Sequence, residues 1–236
     1  MLDSNQPQIM LAALLVLAFA ATLFGQTRIL PVQNVAMVAV LIALISGLAQ
    51  TIGAKTGVPF GRYFYTESSG PQMFNLLPWP IPLIWVVAVL NSRGVARLML
   101  RSWRTIPNYG YWSIALTCLL TVLFDASLEP FATRANHLWI WQTPRNVPAW
   151  HGAPWVNFAA WGATTLLILG ITTPWLINKK PTSEPPPDYL PLAIWLFLTL
   201  VLIIGSASHK LWEAVGFGLT ISLIVSATAW RNSRRR

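Results

Sequence analysis

Long runs of apolar residues alternate with short polar segments along this chain. A helix of about 20 apolar residues crosses the roughly 30 Å of hydrocarbon in a bilayer. Seven runs approach or reach that length, which predicts seven spans, with six or eight as the realistic alternatives. The third run is the shortest and is expected to tilt or to extend toward Met99. The predicted spans are Ile9–Gly25, Val32–Ile52, Leu77–Asn91, Tyr109–Leu128, Pro154–Ile177, Leu190–Ser206 and Leu211–Trp230.

The composition indicates the same class of protein. Hydrophobic residues make up 55% of the 236 positions and charged residues only 10%, whereas a soluble domain has about 25% charged residues. We therefore predict an all-α, polytopic transmembrane helix bundle in which residues 1–236 form a single integral membrane domain. The Pro-rich stretch Lys179–Pro187 is the one linker-like segment. Because no Lys or Arg precedes Ile9, the first span lacks the basic start of a signal peptide and is predicted to be retained, with the N-terminus outside.

The basic residues are distributed unequally between the two ends of the predicted bundle. Eleven fall at one end and five at the other, and the positive-inside rule assigns the richer end to the cytoplasm. This predicts a multi-pass protein of the inner (cytoplasmic) membrane with a cytoplasmic C-terminus. It also explains the net charge of +9 without a nucleic-acid partner. The eleven are Arg28, Arg93, Arg97, Arg101, Arg104, Lys179, Lys180, Arg231, Arg234, Arg235 and Arg236, and the five are Lys55, Arg62, Arg134, Arg145 and Lys210.

Two polar segments at the less basic end, around residues 53–76 and 125–158, contain most of the chemically useful side chains. All three histidines and five of the seven acids fall on this side, together with six tryptophans. Tryptophan favours the membrane interface, so an aromatic belt accounts for some of these rings but not for the acids among them. The loop Val58–Pro71 carries an Arg, a Glu and several aromatic residues between Gly- and Pro-containing turns. A simple connection would not need them, so the loop is interpreted as part of a site.

The strongest candidates for chemistry are Asp125 and Glu129 at the end of the fourth predicted span. They are four residues apart and hence on one helix face. Pro130 disfavours helix at Glu129, which predicts that both acids lie in or just past the last turn. The helix dipole, burial near lipid and the like charge of the neighbour all favour the protonated form, so one of the two is a candidate general acid. The alternative is an acid paired with Arg62 or Arg134, or one solvated at the interface.

Asn157 and Trp161 open the fifth predicted span and share one helix face. Asn157 is expected at the same depth as Asp125. An isolated Asn in a membrane helix more often makes an interhelical hydrogen bond, so a structural role and a catalytic one both remain open at this stage. Cys118 lies in the middle of a span and is interpreted as a packing residue.

Several of these motifs, taken in order and with their spacing, resemble the CruF-type carotenoid biosynthesis proteins. That family comprises multi-span membrane hydratases that act on acyclic carotenoid ends. The resemblance runs from about Gly47 to Gly170. The matching residues are Gly53, the run Thr56-Gly57-Val58-Pro59-Phe60-Gly61-Arg62-Tyr63, then Tyr65, Gly70-Pro71, Asp125-x-x-x-Glu129-Pro130, Trp139-x-Trp141, Gly152-x-Pro154, Asn157-Phe158 and Trp161.

The resemblance implies a reaction and roles for the residues. Hydrating a terminal trisubstituted alkene requires protonation of its less substituted carbon, which gives a tertiary carbocation that water then captures. Asp125 is expected to donate the proton with Glu129 as its partner, aromatic faces are expected to stabilise the cation, and Asn157, Glu67 or Gln50 to hold the water. No cofactor or metal is expected; the partners are a carotenoid and the lipid bilayer. The expected substrate-binding residues are Gln50, Phe60, Arg62, Tyr63, Tyr65, Trp139, Trp141 and Trp161.

Two departures from the family pattern keep an alternative open. This chain has Glu129 where the family often has Asp, which preserves the chemistry, and Gln50 where it usually has Glu, which removes a carboxylate from the predicted cavity. A non-catalytic carotenoid-binding or assembly subunit would use the same cavity. A metal-dependent prenyl transferase is disfavoured because only one acidic cluster is visible. A transporter is disfavoured because the acids lie at one face and no duplicated half is apparent.

Overall fold

The computed structural model describes residues 6–177 and 186–233, and within these ranges it is a bundle of seven helices. All seven are long and apolar enough to cross a membrane, which confirms the predicted fold class and number of spans. The predicted linker from Lys179 onward lies largely outside the described residues, as do Asp3, Lys180 and the basic residues 234–236. The helices are α1 (Gln6–Thr27), α2 (Val32–Thr56), α3 (Pro80–Met99), α4 (Tyr109–Pro130), α5 (Trp155–Leu176), α6 (Leu190–Ser208) and α7 (Trp212–Ser233).

Helix α3 is the central element of the bundle. It packs against α1, α2, α4, α6 and α7, and its apolar residues are buried over most of its length. It begins at Pro80, where proline is tolerated because the first-turn N–H has no partner inside the helix, and it extends to Met99 as expected. Its predicted start at Leu77 is wrong, because Leu77 and Pro78 form a short strand instead.

Helix α4 does not end at Glu129, so the predicted effect of Pro130 is wrong. The helix includes Pro130 and passes directly into a π-helical turn over Phe131–Ala135, closed by a hydrogen bond from the Asn136 amide to the Phe131 carbonyl of 3.0 Å. A proline inside a helix leaves the carbonyl four residues earlier without its usual donor. Here that carbonyl belongs to Ala126, and the indole N–H of Trp150 donates to it at 2.8 Å. The loop after α4 therefore supplies the missing donor.

The loops at one end of the bundle contain six short strands in three antiparallel pairs. β1 (Tyr63–Tyr65) pairs with β4 (Trp139–Trp141), β2 (Gln72–Met73) with β3 (Leu77–Pro78), and β5 (Ala149–Trp150) with β6 (Ala153–Pro154). The β1–β4 pair joins the loop before α3 to the loop after α4, which brings the two predicted site segments together. Pro154, the predicted start of the fifth span, therefore lies in a strand. Helix α5 begins one residue later, at Trp155.

Candidate functional site

The α2 side of the site is built on Gln50, which is buried two turns before the end of the helix. Its side-chain oxygen accepts hydrogen bonds from the hydroxyls of Tyr63 at 2.6 Å and Tyr65 at 3.1 Å. The Tyr63 hydroxyl also lies 3.0 Å from the Gln50 carbonyl. Burial raises the pKa of both tyrosines above the ordinary value, so both hydroxyls remain protonated donors at neutral pH.

The pairing of β1 with β4 determines which rings face inward. Tyr63 lies opposite Trp141 and Tyr65 opposite Trp139, and since side chains alternate along a strand these four rings share the inner face. The ring centroids of Tyr63 and Trp141 are 4.9 Å apart, and those of Tyr65 and Trp139 are 6.4 Å apart in an edge-to-face arrangement. The middle pair, Phe64 and Ile140, points outward and is exposed.

Asp125 and Glu129 face this sheet from α4 and are both fully or almost fully buried, with exposures of 0% and 1%. The side-chain amide of Asn157, from the first turn of α5, donates to Asp125 Oδ2 at 2.9 Å and to Glu129 Oε1 at 3.2 Å. One amide therefore bridges the two carboxyl groups. This contact is between helices, yet it joins Asn157 to the two strongest chemical candidates.

The two acids differ in their remaining partners. Glu129 Oε2 accepts the indole N–H groups of Trp141 at 2.9 Å and Trp139 at 3.1 Å, so three neutral donors surround this carboxyl group. Asp125 Oδ1 is buried and has no hydrogen-bond partner among the described residues. The alternative of an acid solvated at the interface does not fit this burial.

The two arginines considered as ion-pair partners are directed elsewhere. Arg62 is exposed, and its carbonyl accepts the Gln142 amide, which extends the β1–β4 pair. Arg134 donates from Nε to the carbonyl of His151 at 3.1 Å. The carboxyl groups thus receive their hydrogen bonds from indole and amide groups.

A cavity of about 20 Å³ lies between the sheet, α3 and the acids. This is room for about one water molecule, which needs roughly 10–15 Å³ on the same measure. Glu129 and Asn157 form its polar wall together with the Gln50–tyrosine group, and the remaining wall is aromatic and aliphatic. The lining residues are Gln50, Tyr63, Tyr65, Ile81, Ile84, Trp85, Leu128, Glu129, Trp139, Trp141, Asn157 and Trp161.

Trp85 is a cavity residue that the sequence analysis missed. It is completely buried in α3 and stacks on Trp161, with ring centroids 3.7 Å apart and an interplanar angle of 9°. Phe60 packs edge-on against the ring of Trp85, with ring centroids 6.4 Å apart. Trp85 lies well inside a predicted span, where an interfacial belt of aromatic residues explains it poorly. This position was the feature of the sequence that could have indicated a role for Trp85 in the site.

Four of the predicted site residues do not line the cavity, namely Phe60, Arg62, Glu67 and Asp125. Asp125, the expected proton donor, lies behind Glu129, which borders the cavity. Phe60 lies behind Trp85. Arg62 and Glu67 are exposed and are not part of the cavity wall, and Glu67 instead begins a short 3-10 turn that the Thr66 side chain caps. Within residues 6–177 and 186–233, no three His, Cys, Asp or Glu side chains are grouped in a way that would hold a metal ion.

Comparisons with known proteins identify the family of this chain. Residues 6–225 match the family described as carotenoid biosynthesis protein. A bisanhydrobacterioruberin hydratase from Haloarcula japonica is 29% identical over 122 residues, which cover 52% of this chain and 39% of that protein. The match therefore spans about two fifths of the relative's length. No solved structure matches the chain. Since the family match covers almost the whole chain, this seven-helix membrane protein belongs to the carotenoid biosynthesis protein family.

Proposed function

We propose that this protein is a carotenoid hydratase that adds water to the terminal double bond of an acyclic carotenoid end group by acid catalysis. Family membership supports a carotenoid as the substrate class. The name of the relative from Haloarcula japonica supports hydration as the reaction. The observation that carries the proposal is the buried pair Asp125 and Glu129, joined by Asn157 at the edge of an aromatic cavity.

The reaction needs one proton that returns to the protein at the end. In the proposed mechanism the pair Asp125–Glu129 holds one proton, which rests on Asp125 in the absence of substrate. The proton passes to Glu129, and Glu129 delivers it because this carboxyl group borders the cavity. The π electrons of the terminal double bond form a C–H bond at the less substituted carbon and leave a tertiary carbocation. Water adds to the cation, and its extra proton passes to the carboxylate, so the net change is the addition of one water.

The aromatic walls suit a short-lived cation. An aromatic face close to a cation contributes about 0.5–2 kcal/mol, and the stacked pair Trp85–Trp161 and the ring of Tyr65 line the cavity. Among the residues that the structure describes, neither a Lys nor an Arg lines it. A nearby positive charge would oppose formation of the cation, so the hydrogen bonding of the acids by neutral groups fits this chemistry.

The cavity itself would hold the water rather than the substrate. A volume of about 20 Å³ matches one water and is far too small for an isoprenoid end group. We therefore expect the carotenoid end to enter sideways from the bilayer, with movement of the cap formed by β1 and β4 away from α3. From the positive-inside rule we expect this end of the bundle to lie on the outer side of the cytoplasmic membrane.

The proposal is tested by mass analysis of carotenoids from a lycopene-producing bacterium that expresses the chain. We expect a product heavier than its precursor by one water. Glu129→Gln and Asp125→Asn preserve the shape of the side chain but remove the transferable proton, and each replaces one acceptor oxygen by an NH2 donor. Because general acid catalysis contributes typically about 10²–10⁴-fold, both variants are expected to lose the product.

Glu213→Gln is the matched control, since it makes the same chemical change at an exposed acid in the first turn of α7. It should retain the product. A chain that accumulates in the membrane and binds unmodified carotenoid, with every acyclic substrate offered, would overturn the hydratase proposal. It would instead identify a carotenoid-binding or assembly subunit.

A further inference from the structure

The segment between α2 and α3 runs back along the helix it has just left. Helix α2 ends at Thr56, capped by Gly57 in the left-handed conformation. Beyond this cap, Phe60 lies against Gly53, where a β-carbon would come within 2.7 Å of the Phe60 ring. The Tyr63 hydroxyl then reaches the carbonyl of Gln50 at 3.0 Å.

Further along the chain, the same segment reaches a deeper turn of α2. A β-carbon on Gly47 would lie 3.4 Å from Leu77 of β3. Gly47, Gln50 and Gly53 are spaced three residues apart and therefore form one stripe on the helix. The chain thus contacts this stripe at successively deeper turns before α3 begins.

The distance covered along α2 is a substantial fraction of the hydrocarbon thickness of a bilayer. At 1.5 Å per residue, the nine residues from Gly47 to Thr56 correspond to about 13 Å. A helix of 25 residues is about 37 Å long, which exceeds the roughly 30 Å hydrocarbon thickness by about 7 Å. Even if all of that excess projected at this end, the turn of α2 that the Leu77 side chain contacts would lie about 6 Å inside the hydrocarbon boundary.

The hairpin that carries Leu77 presents apolar side chains outward. Met73, Phe74 and Leu76 are exposed by 39%, 93% and 38%. Phe74 and Asn75 both have positive φ angles, 53° and 56°, as in a type I′ turn. Asn-Gly is the favoured pair there. Phenylalanine at the first position is strained, and burial of its exposed ring in hydrocarbon would help to offset that cost.

We propose that the β2–β3 hairpin is a re-entrant membrane element whose Phe74 ring contacts the acyl chains of the bilayer leaflet at this end of the bundle. Its surface continues the lipid-facing side of the bundle, where Leu44 and Leu48 of α2 are exposed at 56% and 64%. The β2–β3 pairing and the bond from the Trp79 amide to the Pro71 carbonyl occupy part of the backbone groups of the hairpin, which lowers the cost of placing it at membrane depth. The exposed polar residues Gln72 and Asn75 place the turn near the boundary with the headgroups.

Thiol accessibility in lipid vesicles tests this placement. Cys118 is the single cysteine of the chain, so a Cys118→Ala chain provides a clean background for Phe74→Cys. Leu44→Cys is the lipid-facing control and Arg145→Cys, in the exposed loop after β4, is the aqueous control. The thiolate is the reactive form and is suppressed in hydrocarbon, so a charged maleimide should modify position 74 at least about tenfold more slowly than position 145.

A nitroxide attached at the same positions gives a second readout. At position 74, collisions with oxygen should exceed collisions with a water-soluble nickel complex, as at position 44. Equal maleimide rates at positions 74 and 145, or nickel collisions matching those at position 145, would overturn the proposal. Leu76→Cys, on the same hairpin, provides the same measurements if Phe74→Cys does not fold. Neither readout depends on hydratase activity, so the outcome is independent of the proposed function.

Discussion

At the residue scale, the two acids of the site have the same chemistry but different surroundings. Glu129 has three N–H donors directed at its two oxygens, whereas Asp125 has a single one, from Asn157. A carboxylate can accept several such bonds, but a carboxylic acid must place its proton on one oxygen. The unpartnered Asp125 Oδ1 can carry that proton without losing a hydrogen bond. This asymmetry arises from the indole groups of Trp139 and Trp141, which lie more than nine residues after Glu129 in the chain.

Gln50 illustrates how a departure from a family pattern can be accommodated. Its side-chain oxygen accepts from Tyr63 and Tyr65, a role for which an amide is as competent as a carboxylate. Because burial raises the pKa of both phenols, both hydroxyls are protonated donors at neutral pH. The amide therefore preserves the hydrogen-bonded wall of the cavity.

The ring of Trp85 is expected to face the carbocation of the proposed reaction, which forms against the aromatic wall of the cavity once the cap formed by β1 and β4 has moved. Trp85→Leu removes one aromatic face, and a cation–π contribution of about 0.5–2 kcal/mol corresponds to a roughly 2- to 30-fold loss of hydration rate. Trp85→Phe keeps a face and should lose less. The measurement is the ratio of hydrated to unhydrated pigment over time at equal protein level. Equal losses in the two variants would show that Trp85 acts only by filling space.

At the element scale, the end of α4 shows how a helix passes a proline. Pro130 cannot donate to the Ala126 carbonyl, and Trp150 does so instead from the next loop. The π-helical turn that follows places Thr133 so that its hydroxyl donates to the Glu129 carbonyl at 2.7 Å. The helix can thus continue for another turn beyond the acids, which keeps both of them inside the bundle and away from the interface.

A double-mutant cycle tests this compensation. Trp150→Phe keeps the ring packing but leaves the Ala126 carbonyl unpaired, at an expected cost of about 1–3 kcal/mol of stability. Pro130→Ala supplies a backbone N–H to the same carbonyl. Adding it to Trp150→Phe should recover about 1 kcal/mol or more. Thermal unfolding in detergent measures the effect, with Trp155→Phe, at an exposed ring, as the control. Additive effects in the cycle would refute the proposed link.

At the scale of the whole molecule, α3 organises the bundle because other helices approach it closely. Gly94 of α3 touches Pro191 at the start of α6, and a β-carbon on Gly94 would lie 2.3 Å from Pro191 Cβ. Small residues allow membrane helices to pack through close backbone approach. A rigid proline ring on the facing helix cannot move aside, so this crossing specifies the distance between α3 and α6.

Gly94 and Gly170 are expected to differ in how an added methyl group changes the stability of the bundle. Gly94→Ala should destabilise the bundle by about 1–3 kcal/mol through overpacking. Gly170→Ala, in α5, meets no atom within 4 Å and should be neutral or slightly stabilising because alanine favours helix. Apparent melting temperatures of the two purified variants in the same detergent provide the comparison. Similar temperatures for both would show that α3 and α6 can separate without cost.

The sequence by itself determined the number of spans, and it predicted that Asp125 and Glu129 share one helix face and that two loops contribute to a candidate site, because hydrophobic runs and four-residue spacings are local properties. It did not reveal Trp85 as a cavity wall or the passage of α4 through Pro130. Those features depend on a stacking partner 76 residues away in α5 and on a donor from a distant loop.

Only the tertiary structure decided which of the predicted residues meet. The antiparallel register of β1 with β4 turns four rings inward, and the bridging amide of Asn157 joins the two acids. The same packing leaves Arg62 and Glu67 exposed outside the cavity. The physical reason is that hydrophobicity places a residue at a depth in the membrane, whereas neighbours around the bundle are selected by hydrogen bonds and close contacts between segments far apart in the chain.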